Sequence, residues 1–199
     1  MKRKNKIIII LVVILFLGLL FAFSFPFIVL AHNYSDTIKS DDGFVYLVRD
    51  TFKKAGVESY TYDPSSDNKE IIIPEVYEEY PVKGLGGYVG RGAPGPFHIE
   101  LKGINSSAHV GPSDGSFSWY TEGKNLEYIY YDLVLNIGPN IREIFASQAG
   151  IESNGYLHLV RVFVNCASDN PKFYSENGVL YNKDGSIVEG FLYWNQSYQ

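Results

Sequence analysis

An unbroken apolar stretch near the N-terminus constrains this 199-residue chain more than any other feature. Residues 7–31 carry no charge, and as a helix they would be about 38 Å long, enough to cross the roughly 30 Å hydrocarbon core of a bilayer. Four basic residues precede the stretch within residues 1–6, whereas the first charge after it is Asp36. This asymmetry predicts a single membrane span, with residues 1–6 in the cytoplasm and the rest of the chain on the far side.

Two interpretations of this apolar stretch remain open. A secretory signal has an apolar core of about 7–15 residues that ends at small residues, and Val29-Leu30-Ala31 offers such a cleavage site. The core here is longer, which favours an uncleaved anchor. A lipid-anchored precursor would need a cysteine at the end of the stretch, but the only cysteine is Cys166. We therefore predict a cytoplasmic tail, an anchor, a juxtamembrane linker and an extracytoplasmic domain at residues 1–6, 7–31, 32–43 and 44–199.

The chain beyond the predicted anchor is acidic. Four of the 17 Lys and Arg residues precede the apolar stretch, whereas all 22 Asp and Glu residues follow it. This charge repels a phosphate backbone, which argues against a nucleic-acid partner. A single cysteine cannot form a disulfide within the chain, so packing must stabilise the domain.

Short runs of β-type residues between turn residues dominate the extracytoplasmic part. All 16 tyrosines lie there, and tyrosine, valine, isoleucine and phenylalanine favour strands. Strands are expected at residues 44–48, 58–62, 70–73, 98–104, 126–135 and 157–164. Short helices are expected at residues 46–55 and 141–149. The predicted class is mainly β with short helical pieces.

Two parts of the domain resemble each other in their order of strand, proline and short apolar pair. Residues 71–74 are followed by residues 81–86, and residues 133–139 are followed by residues 140–145. A third copy is expected at residues 157–166. One unit cannot bury the apolar face of its own strand, so we expect the copies to stack side by side.

The stretch NPKFYSENGVLYNKDG, residues 170–185, resembles the connecting motif of BspA-type leucine-rich repeat proteins, and residues 71–82 resemble the opening repeat of that family. Turn chemistry accounts for the first motif, because Asn177-Gly178 and Asp184-Gly185 tolerate positive φ on either side of a short strand. The resemblance implies a short, irregular leucine-rich-repeat-like solenoid after an N-terminal transmembrane helix. It also implies a surface-displayed adhesion or interaction module without a cofactor.

The repeats depart from the family in two ways. The alanine–phenylalanine pair that usually follows the repeat glycine and fills the solenoid core is absent from residues 87–90 and 146–149. The segment 91–124 matches no repeat and is rich in Gly, Pro and Ser. We therefore expect a diverged array.

We predict no catalytic, cofactor-binding or metal-binding residue. Cys166 and His158 share the parity of one strand, but eight residues of strand separate them by about 26 Å, and Cys166 is expected in the core as a small hydrophobic residue. Residues 84–90 lack the helix that must follow a phosphate-binding loop. The histidines lack the clustered spacing of zinc ligands; they are His32, His98, His109 and His158.

Aromatic residues and a glycine-rich loop provide the surface most suited to ligand contact, because tyrosine offers a large contact area with few rotatable bonds. The loop covers residues 91–96. The aromatic residues are Trp119, Tyr120, Tyr128, Tyr130, Tyr131, Tyr193 and Trp194. We expect this surface to contact a protein or a glycan at the cell surface.

Two other functions remain open on the sequence alone. One is an extracytoplasmic cell-wall hydrolase, for which the nearest candidate carboxylates are Glu122, Glu127 and Asp132; two carboxylates within about 5–10 Å in one cleft would favour it. The other is an accessory subunit of a membrane complex, held through the apolar segment, where Gly18 and Ala22 form a weak small-residue face.

Overall fold

The computed structural model describes residues 36–49, 53–88, 94–104, 108–110, 124 and 126–195. The chain divides into two compact units, residues 1–34 and 35–199, and every described residue belongs to the second. The predicted transmembrane helix and the cleavage site at Ala31 lie outside the described residues. In the described part, no helix has the length and apolar character needed to cross a membrane.

Strands are the only regular elements among the described residues. In chain order they are β1 (Asp36–Lys39), β2 (Phe44–Arg49), β3 (Lys54–Tyr62), β4 (Glu70–Ile72), β5 (Val76–Tyr77), β6 (Tyr80–Leu85), β7 (Gly87–Tyr88), β8 (Pro94–Gly95), β9 (His98–Leu101), β10 (Ala108–Val110), β11 (Glu127–Ile137), β12 (Glu143–Ile144), β13 (Gly150–Ser153), β14 (Tyr156–Cys166), β15 (Phe173–Glu176) and β16 (Val179–Asn182).

The larger sheet of the described chain runs in the order β1-β2-β3-β6-β12, with β5 paired to β6 and β9 paired to β3. β1, β2 and β3 form an antiparallel meander, whereas β3, β6 and β12 are parallel. Alternate residues on each strand point into the core, as Tyr46 and Val48 do on β2 and Ala55 and Val57 do on β3.

The second sheet runs in the order β10-β13-β14-β11-β4. β4, β11 and β14 are parallel, and β11 pairs with β14 along all 11 of its residues. β13 and β10 continue the sheet as antiparallel strands. The inward faces of both sheets share one hydrophobic core, in which Val57 and Leu85 of the larger sheet are clustered with Leu135 and Val162 of the second.

The C-terminal motif, residues 170–185, forms the antiparallel hairpin β15–β16. Its turn is Asn177-Gly178, with φ of 50° and 78°, the positive values that the sequence predicts for this pair. At the start of the motif, the side chain of Asn170 is almost completely buried. It donates to the carbonyl oxygens of Gly138 and Ile141 and accepts from two amides of its own segment, so it ties the motif to the turn after β11.

The two predicted helices are wrong. Residues 46–49 continue β2, residues 54 and 55 begin β3, and residues 50–52 lie outside the described chain. The cause is that Phe44, Tyr46 and Val48 alternate along the chain and all three enter the main core, which follows the period of a strand. Residues 141–149 hold the short strand β12 and a bridge from Ala146 to Phe97.

The predicted solenoid is also wrong. The described strands form two mixed sheets and two separate hairpins, and antiparallel strands border the parallel ones in both sheets. A solenoid needs every connection to cross over to the next parallel turn. Here short turns reverse the chain instead. Asn154 and Gly155, both at positive φ, connect β13 to β14, and residues 40–43, in which Gly43 has a positive φ, connect β1 to β2.

All six predicted strands are confirmed, at β2, β3, β4, β9, β11 and β14. The relation between the two repeat segments stays a prediction, although their strands are neighbours in the sheets. Gly84 and Leu85 lie beside Glu143 and Ile144 in parallel register, and β4 lies beside β11. β14, which contains the predicted third copy, lies on the other side of β11. Equivalent segments are therefore neighbours although the array as a whole is not a solenoid.

Candidate functional site

The outer face of the second sheet carries large side chains arranged in rows. Because Leu133 and Leu135 point into the core, the even-numbered residues of β11 point outward. The odd-numbered residues of β14 lie beside them on the same outer face. The segment 192–194 extends this face beside β14, since Val162 exchanges backbone hydrogen bonds with Leu192 and Trp194. We call the open part of this surface the Trp194 face. It comprises Ile72, Asp132, Asn136, Arg161, Phe163, Asn165 and Trp194.

One end of the outer face is closed. Leu157 and Leu159 are fully buried although they point away from the main core, and with Leu192 they form a separate apolar cluster. Tyr128 and Tyr130 pack against this cluster, with their rings stacked 6.3 Å apart. The cluster gives the Trp194 face a rigid apolar border.

Arg161 is held in place at the middle of the face. Its guanidinium lies 4.3 Å from the centre of the Tyr130 ring and donates two hydrogen bonds, of 2.7 and 2.8 Å, to the two carboxylate oxygens of Asp132. Hydrogen bonding by this carboxylate raises the pKa of Arg161. The bidentate pair fixes a planar cation against an aromatic ring, and the side chain of Asp132 remains 55% exposed.

Trp194 is both exposed and oriented. Its side chain is 45% exposed, its ring lies 5.8 Å from that of Phe163, and its indole N–H donates a 3.0 Å hydrogen bond to the carbonyl oxygen of Asn177. Gly178 makes this contact sterically possible, because a Cβ there would lie 2.4 Å from the Phe163 ring and 2.6 Å from the indole nitrogen. The hairpin turn therefore supports the indole from one edge.

The end of the Trp194 face away from the apolar cluster carries two asparagines and an isoleucine. Asn165 donates a 3.1 Å hydrogen bond to Asn136 on the neighbouring strand, and Ile72 of β4, which lies beside Asn136, is 64% exposed. The surface thus combines an exposed indole, an exposed aliphatic side chain and several side chains whose orientation is fixed by hydrogen bonds. Such a surface can bind a ligand with little loss of side-chain entropy.

The predicted aromatic set is divided by the structure. Tyr128, Tyr130 and Trp194 lie on the outer side of the second sheet, as just described. Tyr131 and Tyr193 pack with the core instead, and burial raises the pKa of both hydroxyls. Trp119 and Tyr120 lie outside the described residues. Of the predicted loop 91–96, residues 94 and 95 form β8 and residues 91–93 lie outside the described chain.

The cysteine and histidine residues do not form a site in the described chain. Cys166 packs against the core, as expected, and burial raises the pKa of its thiol. His158 is buried, and its Nδ1 lies 2.9 Å from the Tyr131 hydroxyl. Burial lowers the pKa of His158, opposed by a hydrogen bond with the backbone of Ser153. Among the described residues, no three His, Cys, Asp or Glu side chains are close enough to hold a metal ion.

The carboxylates considered for a hydrolase are not brought together. Glu127 and Asp132 are five residues apart on β11, so they point to opposite sides of the strand about 17 Å apart along it. The carboxylate of Asp132 accepts hydrogen bonds from Arg161. Glu122 lies outside the described residues.

Sequence analysis missed the Arg161–Asp132 pair, although a signal for it was present. Asp132 and Arg161 are separated by 29 positions, and so are Asn136 and Asn165. The same spacing relates every residue pair of β11 and β14, because the two strands pair in parallel without a register shift. Assigning the third repeat copy residue by residue would have placed these side chains next to each other.

Comparisons with known proteins add little. No family model matches the sequence, and no curated protein matches it. A solved structure described as the pneumococcal vaccine antigen PcpA matches with 17% identity over 75% of this chain and 54% of that chain, at a TM-score of 0.21. This chain therefore spans about half the length of that structure. A TM-score this low does not establish a common fold, and the resemblance to BspA-type repeat proteins stays a prediction from residues 71–82 and 170–185.

Proposed function

We propose that this chain is a non-catalytic interaction module, held at the membrane by its apolar segment, that binds an extracytoplasmic protein or glycan through the Trp194 face. The observation that supports this most is the fixed orientation of Trp194 and Arg161 on an otherwise open sheet face. Tryptophan, tyrosine and arginine dominate the binding energy of known interfaces, and they do so best where their side chains are already ordered.

The regular rows of the face favour a contact surface over a reaction centre. Catalysis by acid–base or nucleophilic chemistry needs groups that converge on one point. On the Trp194 face the polar side chains pair with each other within the sheet, as Arg161 does with Asp132 and Asn165 with Asn136. The arrangement therefore supplies orientation and contact area rather than a poised nucleophile.

Site-specific photocrosslinking in intact cell envelopes tests the contact. We would place a photoreactive phenylalanine derivative at Trp194 or Ile72 of the full-length chain, with Val76 as the matched control, because Val76 is also an exposed apolar residue, at 53%, but lies on the larger sheet. We expect one discrete crosslinked species from the two face positions and none from the control. Equal labelling at all three positions, or none at any, would contradict the proposal.

The membrane location is tested separately. We expect the full-length protein to sediment with membranes and to resist alkaline extraction, with the domain protected from proteases added on the cytoplasmic side. Mass spectrometry of the mature N-terminus distinguishes an uncleaved anchor from cleavage after Ala31. Recovery of the intact, lipid-free chain from the cytosol would overturn this part of the proposal.

A further inference from the structure

Three side chains on the outer face of the second sheet form an apolar row across the strands, namely Val134, Phe163 and Trp194. Val134 is beside Phe163 in the parallel register of β11 and β14. The bridge from Tyr193 to Val162 aligns Trp194 as the third member of the row. Neighbouring strands are about 4.8 Å apart, so the row is about 10 Å long between its outermost Cα atoms. We call it the apolar row.

A polar pair borders the apolar row on each side. Two residues along the strands in one direction lies the ion pair of Arg161 and Asp132. Two residues along in the other direction lies the amide pair of Asn165 and Asn136. Four strand residues separate the two pairs, a distance of about 13 Å. Both pairs therefore flank the same apolar floor.

Each polar pair keeps both a donor and an acceptor for a ligand. Arg161 uses Nε and one terminal nitrogen to bind Asp132, which leaves its other terminal nitrogen as a donor and further lone pairs on the carboxylate. The hydrogen bond from Asn165 to Asn136 leaves the amide nitrogen of Asn136 as a donor and the amide oxygen of Asn165 as an acceptor. Such borders suit hydroxyl groups, because a hydroxyl both donates and accepts.

The charges of the face exclude an anionic ligand. The bidentate contact with Asp132 balances the charge of Arg161. Glu70 lies beside Val134 and is exposed on the same side of the sheet, since Ile71 next to it points into the core. Any remaining charge on the face is therefore negative and repels carboxylate and phosphate groups. An uncharged ligand with hydroxyl groups meets both conditions.

The size of the face favours a glycan over a protein. The Trp194 face has seven residues, whereas a stable protein interface has about 20–30 residues on each side. β11 is paired on both sides, with β4 and β14, so a peptide has no strand edge to join beneath the apolar row. With a hydrogen bond of about 2.8 Å to each polar pair, about 7 Å remains between them. This is the breadth of one pyranose ring with its hydroxyl groups.

We propose that the ligand of the Trp194 face is an uncharged glycan, bound with the C–H face of one pyranose ring against Phe163 and Trp194. The hydroxyl groups on the two sides of the ring bind the two polar pairs. The indole N–H already donates to the carbonyl oxygen of Asn177, so Trp194 contributes its ring surface. This inference rests on the proposed function, because it names the ligand class of the same surface.

Ligand-observed saturation-transfer NMR on the full-length protein tests the proposal, in dodecyl dimethylamine oxide, a detergent without a sugar. The probes are cellohexaose, β-mannohexaose and the hexamer of N-acetylglucosamine, with C6-oxidised cellohexaose as the acidic counterpart. We expect saturation of at least one uncharged probe. Ring protons H1, H3 and H5, which share one face, should be saturated to a different degree from the protons of the other face.

Two other outcomes of this experiment would count against the glycan. Saturation of the acidic probe equal to that of cellohexaose would overturn the assignment to an uncharged ligand. Saturation of none of the uncharged probes would overturn the glycan itself. Equal saturation of both ring faces would overturn the stacked geometry.

Substitutions locate the bound sugar. Trp194→Ala should weaken binding by about tenfold or more, and Asn165→Ala, at an exposed side chain, by about threefold. Phe145→Ala is the matched control, because Phe145 is 47% exposed, as Trp194 is 45%, but lies next to β12 of the larger sheet. It should bind normally. Unchanged binding in both face variants, with thermal stability retained, would contradict the proposal.

Crosslinking at Trp194 separates a failure of this inference from a failure of the proposed function. A protein in the crosslinked species, a second copy of this chain included, with no uncharged sugar bound in the NMR experiment, would overturn the glycan and leave the interaction module intact. Neither a crosslinked species nor a bound sugar would overturn both.

Discussion

The outer faces of the two sheets differ in how the space above the strands is filled. On the second sheet, large side chains cover the strands: the Arg161 guanidinium lies over the Tyr130 ring, and Phe163 packs against Trp194. On the larger sheet, Gly56 and Gly84 are neighbours on adjacent strands and have no side chain. They line a cleft of about 220 Å³ that lies across β2, β3, β6 and β12, which we call the glycine cleft. Parallel strands therefore carry two kinds of outer surface in this chain. The difference comes from a few outward positions and leaves the shared core unchanged.

The largest expected loss of stability is at Gly178, the glycine that supports the Trp194 face. Gly178→Ala should lower the free energy of unfolding by about 4 kcal/mol, because a positive φ is unfavourable for alanine and the new methyl group overlaps Phe163 and Trp194. Gly185→Ala is the matched control. Its φ of 89° is similarly unfavourable, but nothing lies within 4 Å, so the loss should be about 1 kcal/mol. Denaturant unfolding of both variants measures the difference, and equal losses would show that the turn does not support the indole.

The closed border of the Trp194 face should be the next most sensitive. Leu159→Ala leaves a cavity in the apolar cluster beneath Tyr128 and Tyr130 and should lower the free energy of unfolding by about 3 kcal/mol. Ile72→Ala, at the open end of the same face, should change it by less than about 0.5 kcal/mol. Thermal unfolding of the two variants in parallel measures the two losses of stability. Similar losses would contradict the distinction between a closed and an open end.

The Arg161–Asp132 pair should contribute less. A double-mutant cycle with Asp132→Asn and Arg161→Met should give a coupling energy of about 1 kcal/mol, because the geometry is bidentate but the carboxylate is partly exposed. The coupling should decrease with added salt. A second cycle on Lys102 and Asp63, an ion pair with greater exposure of the cation, should give a smaller coupling. If the second cycle gave the larger value, the order of Arg161 would not depend on Asp132.

The smallest effect has the opposite sign. Gly84→Ala should raise the free energy of unfolding by about 0.5 kcal/mol, since alanine loses less conformational entropy on folding and its methyl group fits. A stabilising substitution in the floor of the glycine cleft would mean that glycine is retained there at the expense of stability. A clear loss of stability would instead show that the floor is needed for packing, and the contrast between the two outer faces would then be weaker.

Local sequence chemistry predicted the strands and the main turn, because these depend on alternation and on residues that tolerate positive φ. Residues 157–164 and Asn177-Gly178 are examples that the structure confirms. The helix at residues 46–55 was wrong because its apolar residues fit both periods over so short a stretch. In addition, the strands of the larger sheet supplied tertiary pairing that no local pattern reveals.

The candidate sites were harder to predict than the elements that hold them. The Trp194 face depends on register between distant strands, and the glycine cleft depends on two glycines, 28 positions apart, becoming neighbours. In the sequence Gly84 belongs to a glycine-rich run, whereas the structure places it inside β6. The role of Gly84 in the cleft becomes apparent only from its pairing with Gly56.

The Asn177-Gly178 turn is a site where the chain can be modified chemically as the protein ages. Asparagine followed by glycine readily cyclises to a succinimide with release of ammonia, because the glycine amide nitrogen has unhindered access to the side-chain carbonyl carbon. Hydrolysis of the succinimide at the main-chain carbonyl gives isoaspartate, which inserts an extra methylene into the main chain. The main-chain carbonyl that accepts the Trp194 indole hydrogen would be displaced by this change. We therefore expect old protein to lose the fixed indole first. Peptide mapping for isoaspartate at this position, alongside Trp194 fluorescence, would show whether the modification releases the indole.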